Sequence, residues 1–369
     1  MRFGLLQEGH FDPTRESLDT RYHEMVEEAL LAEECGFDFY ACSEQHFGVV
    51  RPESVRRGGA VSAPEVVLTY VAGQTSTIRL RTTSTVLLSF NHPVRVAERL
   101  ATLDLLSGGR AELGTARSNN VGTMTAFGVD PAQTRDLWTE SIEVIVKSLT
   151  QDPFSHQGRF WQMAESSLTP KPIQQPHPPL FVSASGPESH AIAGELGIGA
   201  MTGATILGWG HAEACTAAYR KAVSEPARPL SSVVNDSLGL AVLCAHCAET
   251  TEQAWLEAAP VAHDIVERML GPGGRYEQLA SASPDFGYLA DIEEVQNRRH
   301  DLDFALELAP YLSFGTPEFL IERFRRAETL GYDELILRID GFGHEAVMRS
   351  IGLLGREVIP AFSTPSARA

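Results

Sequence analysis

The chain has 369 residues, 43% of them hydrophobic and 21% charged, which is enough apolar material for a large folded core. A formal charge of −18 repels phosphate backbones and argues against nucleic acid as a partner. Five scattered cysteines form no disulfide framework, and no run of about 18 apolar residues is present to span a membrane. The opening segment MRFGLLQEGHF lacks a long apolar region and a cleavage signature, so a cytoplasmic protein is expected.

Strand-like and helix-like stretches alternate from end to end. Residues 2–8 read as a short apolar strand. Residues 21–35 follow with Tyr22, Met25, Val26, Ala29 and Leu30 at helical spacing, stopped by Gly36. Residues 37–42 predict a second strand and 64–76 its helix. The Thr-, Val- and Leu-rich stretch 79–88 predicts a third strand, and 93–106 its helix, closed by Ser107, Gly108 and Gly109. Residues 111–117 and 134–149 supply the fourth pair.

A Pro-rich crossing over 170–179 leads to a fifth strand at 180–185 and a helix at 187–196, with Pro187 in its first turn and Gly197 past its end. Strands six, seven and eight are expected at 198–202, 235–245 and 334–339. Thr316 and Pro317 start the helix before the last of these. Eight β/α units in one domain over 1–369 predict a closed (β/α)₈ TIM barrel with insertions after strand two (47–63) and before strand eight. The second insertion, 271–314, has the length of a lid, and 363–369 is expected to fray. No G-x-G-x-x-G follows the first strand, which disfavours an open dinucleotide-binding sheet.

In such a barrel the site lies at the C-terminal ends of the strands. Those ends carry Gln7 and Glu8, then Ser43, Glu44, Gln45 and His46, then Ser84 and Thr85, then Arg117, and then Ser185 and Gly186. Ser185, Gly186, Pro187, Glu188 and Ser189 make a tight strand-to-helix turn whose free N–H groups and hydroxyls suit a phosphate. Helix capping alone explains the same residues, and a salt bridge explains Arg117 equally well. No metal site is expected, because H-E-x-x-H and H-x-H patterns are missing. Neither a G-x-S-x-G elbow nor a P-loop occurs. Cys244 and Cys247 have C-x-x-C spacing but stand alone, and they are expected to be packed at the end of strand seven.

Four motifs resemble the bacterial luciferase-like flavin monooxygenase family. Ser43–Glu44–Gln45–His46–Phe47 looks like the family's E-H-H-F signature, with Gln45 in place of the first histidine. Asn91–His92–Pro93–Val94–Arg95–Val96–Ala97–Glu98 looks like its H-P-V-R-x-A-E segment, and Leu105–Leu106–Ser107–Gly108–Gly109–Arg110 like its D-x-x-S-x-G-R turn. Residues 182–197 are similar to its phosphate turn and the helix that follows.

The resemblance implies an FMNH₂-dependent monooxygenase that inserts one oxygen atom of O₂ into a small organic substrate. A separate NAD(P)H:flavin reductase would supply the reduced FMN. It implies a homodimer through the first helices, and Ser84, Thr85, Arg117, Ser185, Gly186 and Ser189 as flavin-binding residues. It places a nonprolyl cis bond at Ser84–Thr85, and Glu44, Gln45 and His46 in the catalytic region. Acid–base work would then fall to His46 or His92, or to the flavin peroxide itself, since a glutamine amide takes up no proton near neutral pH. Two alternatives stay open: a deazaflavin (F420)-dependent oxidoreductase of the same fold, and a non-catalytic flavin-binding protein.

Overall fold

A computed structural model describes residues 1–11, 16–46, 59–203, 205–289 and 292–362. Eight parallel strands close into a barrel. They are β1 (Arg2–Gln7), β2 (Phe39–Cys42), β3 (Arg79–Val86), β4 (Ala111–Ala116), β5 (Leu180–Ala184), β6 (Gly199–Thr202), β7 (Leu238–Val242) and β8 (Glu334–Arg338). Closure is made by β1, which pairs with β2 through Gly4↔Phe39 and with β8 through Leu6↔Arg338.

The barrel interior is a packed core. Leu6, Phe39, Ala41, Phe181, Met201 and Ile336 fill it as one buried cluster. Below them Arg81 is fully buried between the rings of Phe39 and Phe181, 3.9 and 3.8 Å from their centroids. Its guanidinium meets Glu112 at 2.5 Å and Glu334 at 2.7 Å. Two rings can approach this closely only because the neighbouring strands carry glycine. A Cβ on Gly4 would lie 2.0 Å from Phe39, and one on Gly199 would lie 2.4 Å from Phe181. This plug closes the N-terminal end, so access is from the C-terminal ends of the strands.

The outer helices bury apolar stripes against the strands and start where the sequence signals them. Ser17 caps Leu18–Glu34 by accepting from the Thr20 N–H, and Pro93, Pro187 and Pro317 each sit in a first turn. Two features differ from expectation. An antiparallel hairpin, Phe154–Gln157 with Gln162–Ser166, lies before the Pro-rich crossing. The expected single strand over 235–245 is broken. Leu238–Val242 stays in the barrel, whereas Cys244–Cys247 leaves it to pair in parallel with Leu312–Gly315. Both pieces are buried and apolar, so hydrophobic pattern alone could not mark the break.

The chain between these two outer strands is helical. Thr251–Leu270, Arg275–Ala282, Pro284–Leu289, Glu293–Asn297 and Leu302–Leu308 follow in order. They share a separate buried cluster that includes Ile265, Val266, Tyr276, Phe286 and Leu306. All five cysteines are free, and burial raises the thiols of Cys42, Cys215, Cys244 and Cys247 to about 12. The insertion expected at 47–63 falls mostly outside the described residues, as do Phe47 and the tail 363–369. No helix among the described residues is long and apolar enough to cross a membrane.

Candidate active site

A cavity of about 370 Å³ opens at the C-terminal ends of the strands, between the barrel and the helical segment 275–288. Glu44, Gln45, His46, Ser84, Arg117, Ser185, Gly186 and Ser189 all line it. Thr85 does not: it is buried, with its Cα paired to that of Thr115. The cis peptide is Thr83–Ser84, one residue before the expected Ser84–Thr85. The β3–β4 register shifts between Thr82 and Thr85, and a run of four small hydroxylic residues gave no mark of where that shift would fall. His92 also lies away from the cavity. Its ring packs edge-on against Trp161 at 4.6 Å and accepts from the Val94 N–H as a helix cap.

On the β2–β3 side the structure is a fixed carboxylate. Glu44 accepts from the Val86 N–H at 2.7 Å and from Asn91 Nδ2 at 2.8 Å. His46 Nε2 lies 2.7 Å from its Oε1. The imidazole stands edge-on to Phe90 and Phe127, with centroids 5.2 and 5.3 Å away. His46 is thus oriented by the Glu44 carboxylate and two aromatic walls. Gln45 donates from Nε2 to Ser43 Oγ at 2.9 Å and to Glu8 Oε1 at 3.0 Å. Ser84 Oγ sits 2.7 Å from Ser183 Oγ, a partner not singled out in the sequence.

On the β4–β5 side is a cup of donors. Gly186 precedes the helix Pro187–Glu195, and the N–H groups of Ser185 and Gly186 both reach Ser189 Oγ at 3.2 Å. His190 is fully buried beneath, bonded to the Gly186 carbonyl and Thr202 Oγ1, and burial lowers its pKa to about 4. It is therefore a neutral strut. Arg117 and Arg135 face the cup, and both contact Asp285 Oδ2, at 2.5 and 3.0 Å. Arg135 also pairs with Glu188. Arg135 was missed because it sits on the helix Thr134–Thr150 rather than at a strand end.

On the β1–β8 side Glu8 pairs with Arg338 Nε at 3.0 Å. Burial alone would raise the Glu8 carboxyl, but Arg338 and His10 outweigh it and hold it below the usual range. Tyr288 closes the cup from the helical segment: a Cβ on Gly186 would lie 3.1 Å from its ring.

A model described as "Luciferase-like monooxygenase" matches residues 1–334. The chain belongs to this family, and it is an oxidoreductase of the flavin-dependent class. It is 25% identical over 370 residues to the flavin-dependent trigonelline monooxygenase, oxygenase component, of Acinetobacter baylyi, spanning 98% of this chain and 96% of that protein.

Among solved structures it resembles a monooxygenase from Streptomyces bottropensis, with TM-score 0.78, 22% identity and coverage of 98% and 100%. The oxygenating constituent of 3,6-diketocamphane monooxygenase from Pseudomonas putida, solved with FMN, gives 0.70 at 17% identity, with 100% of both chains covered. The coenzyme F420-dependent tetrahydromethanopterin reductase of Methanopyrus kandleri also gives 0.70, at 21% identity, with 98% and 99% covered. These likenesses establish the family barrel.

Proposed function

We propose that this enzyme is the oxygenase component of a two-component system, taking reduced FMN from a separate reductase and transferring one oxygen atom of O₂ to an organic substrate. One observation carries the reading: a single cavity holds an anion cup between β4 and β5 and, on its β2–β3 side, a histidine fixed by a carboxylate.

The donor set fits a flavin phosphate. Arg117, Arg135 and the Ser185 hydroxyl converge where a helix starts; the Ser185 and Gly186 N–H groups, which donate to Ser189 Oγ, would turn to the phosphate together with that hydroxyl. Arg117, Arg135, Ser185, Gly186 and Ser189 would hold the phosphate, which would replace the Asp285 carboxylate on the two guanidinium groups. Ser84 would border the ring system. Bound reduced flavin supplies the electrons that activate oxygen. The protein's part is orientation, exclusion of water and proton handling. His46 can hold or move a proton, with its ring fixed by the Glu44 carboxylate. Gln45, tied to Glu8 and Ser43, orients without exchanging a proton. The segment 271–314 acts as a lid.

Labelled oxygen tests the reading. With a flavin reductase present, one labelled atom enters the product; label confined to peroxide would refute it. A deazaflavin-dependent hydride transfer, the alternative suggested by the F420-dependent reductase of similar fold, would instead run without oxygen. We also propose a homodimer. The neighbouring helices Pro64–Ala72 and Pro93–Leu106 leave Val66, Tyr70 and Leu106 about 60% exposed, which is apolar surface a partner copy would cover.

A further inference from the structure

The cup between β4 and β5 is not the cavity's one concentration of positive charge. In the strand order β1 stands opposite β5, and on that far side three more arginines line the same cavity. Arg338 comes from the end of β8, Arg268 from the last turn of Thr251–Leu270, and Arg275 from the first turn of Arg275–Ala282.

Their partners are unequal. Arg338 is neutralised by Glu8 at 3.0 Å, and Arg268 by Asp264 at 3.0 Å. Arg275 has among the described residues only the neutral amide oxygen of Asn119, at 3.3 Å. Burial and the repulsion of Arg268 and Arg338 lower its pKa, and Glu8 offsets part of this. Among the described residues no carboxylate is bonded directly to this half-buried guanidinium.

A second group points the same way. His10 Nδ1 lies 3.0 Å from Arg338 Nη2, which can only donate, and farther, at 3.4 Å, from Asp340 Oδ2; with Nδ1 accepting from Arg338 the neutral imidazole carries its proton on Nε2. Burial, aided by Arg338, lowers the His10 pKa and keeps the ring neutral. His10 Nε2 is buried, lines the cavity, and has no partner among the described residues. A buried donor left without an acceptor is costly, and a bound group that accepts from it removes the cost.

We propose that the β1–β8 end of the cavity is a subsite for a singly charged anionic group, a carboxylate on the substrate, held by Arg275 and accepting from His10 Nε2. Arg275, with no carboxylate bonded to it among the described residues, can pair with one carboxylate, while Glu8 and the buried Asp340 already stand at this end against a dianion. Arg268 adds to the local field while staying paired. The proposal names the substrate class for the oxygenase and rests on assigning the β4–β5 cup to the flavin phosphate.

The test is equilibrium binding of benzoate and hexanoate against benzamide and hexanamide, followed by calorimetry with and without FMN. The wild-type protein should bind the carboxylates at least about tenfold more tightly than the matching amides, the range of one charge-assisted hydrogen bond. Arg275→Gln should abolish that preference, Arg275→Lys should keep most of it, and neither should move the FMN dissociation constant by more than about twofold. Equal affinity for acids and amides would overturn the subsite. So would a preference that survives Arg275→Gln, or a loss of FMN affinity in Arg275→Gln as large as in Arg117→Ala. Carboxylate binding that persists where FMN fails to bind would refute the flavin reading and leave the subsite standing.

Discussion

Asp285 occupies the position on Arg117 and Arg135 that a flavin phosphate would need, and this sets a quantitative expectation. Its Oδ2 lies 2.5 Å from Arg117 Nη1 and 3.0 Å from Arg135 Nε. A hydrogen bond to a charged group contributes roughly 1.5–3 kcal/mol, and the lower end applies here because the Asp285 side chain is 25% exposed and solvent screens the pair. Phosphate binding exchanges one such contact for another, so Arg117 contributes only the difference. Arg117→Ala should weaken reduced-FMN binding by about 1–2 kcal/mol, or roughly 5- to 30-fold. Asp285→Asn removes the competitor and should tighten binding by about 0.5–1.5 kcal/mol. The double variant should gain less from Asp285→Asn than the wild type does, because half of the competing pair is already gone. Anaerobic titration by quenching of protein fluorescence, at fixed ionic strength, measures all four dissociation constants. Weaker binding in Asp285→Asn would refute the exchange, and an unchanged constant in Arg117→Ala would make that arginine a structural partner of Asp285 alone.

His46→Ala should lower oxygen-coupled turnover by about 100-fold or more while FMN affinity stays within about twofold; Gln45→Ala should cost less, and a tenfold gain in Gln45→His would show that a base is wanted at position 45 after all. Arg81→Met should destabilise the protein in urea unfolding by an amount near the lower end of about 3–5 kcal/mol, since it removes the fully buried cation between Glu112 and Glu334 and leaves them only the half-exposed Arg2 and Arg79; a loss under about 1 kcal/mol would mean that those two arginines suffice. His190 titrates at about 4 when folded and near 6.5 when unfolded, so the unfolded chain binds the extra proton between those values. Its contribution is intact above pH 6.5 and is lost as pH falls toward 4, by about 1.4 kcal/mol per pH unit. His190→Gln should flatten the fall measured between pH 7 and pH 5; an unchanged slope would contradict the assignment.

The barrel was legible because its signals are local. Gly36, Gly109, Gly197 and Gly331 precede β2, β4, β6 and β8, Pro64, Pro93 and Pro187 open the helices after β2, β3 and β5, and β/α alternation has few closed solutions. The C-terminal-end rule then put Glu44, His46, Arg117 and Ser185 in one cavity from chain order alone. What stayed hidden depended on tertiary register or on helices. The irregularity in β3 shifted the cis bond by one residue and took Thr85 out of the cavity. His92 reads like a site histidine but spends its ring on a cap and on Trp161. Arg135, Arg268 and Arg275 come from helical segments, where a charged residue looks like any solvated face until packing aims it inward.

The departure of the chain from the barrel after Val242 has a mechanical result. Two parallel strands cannot be joined by a tight turn, so Cys244–Cys247 and Leu312–Gly315 require a long crossover, and Thr251–Leu270 begins it. At about 1.5 Å per residue those 20 residues span roughly 30 Å, enough to carry the chain across the protein and set Arg268 at the cavity rim. Both ends of this excursion are clamped on a ladder that shares no hydrogen bonds with the eight barrel strands. The excursion is built as a cassette, and lengthening or rewriting it would redraw one wall of the cavity while leaving the Ser185–Ser189 turn and the His46–Glu44 pair in register.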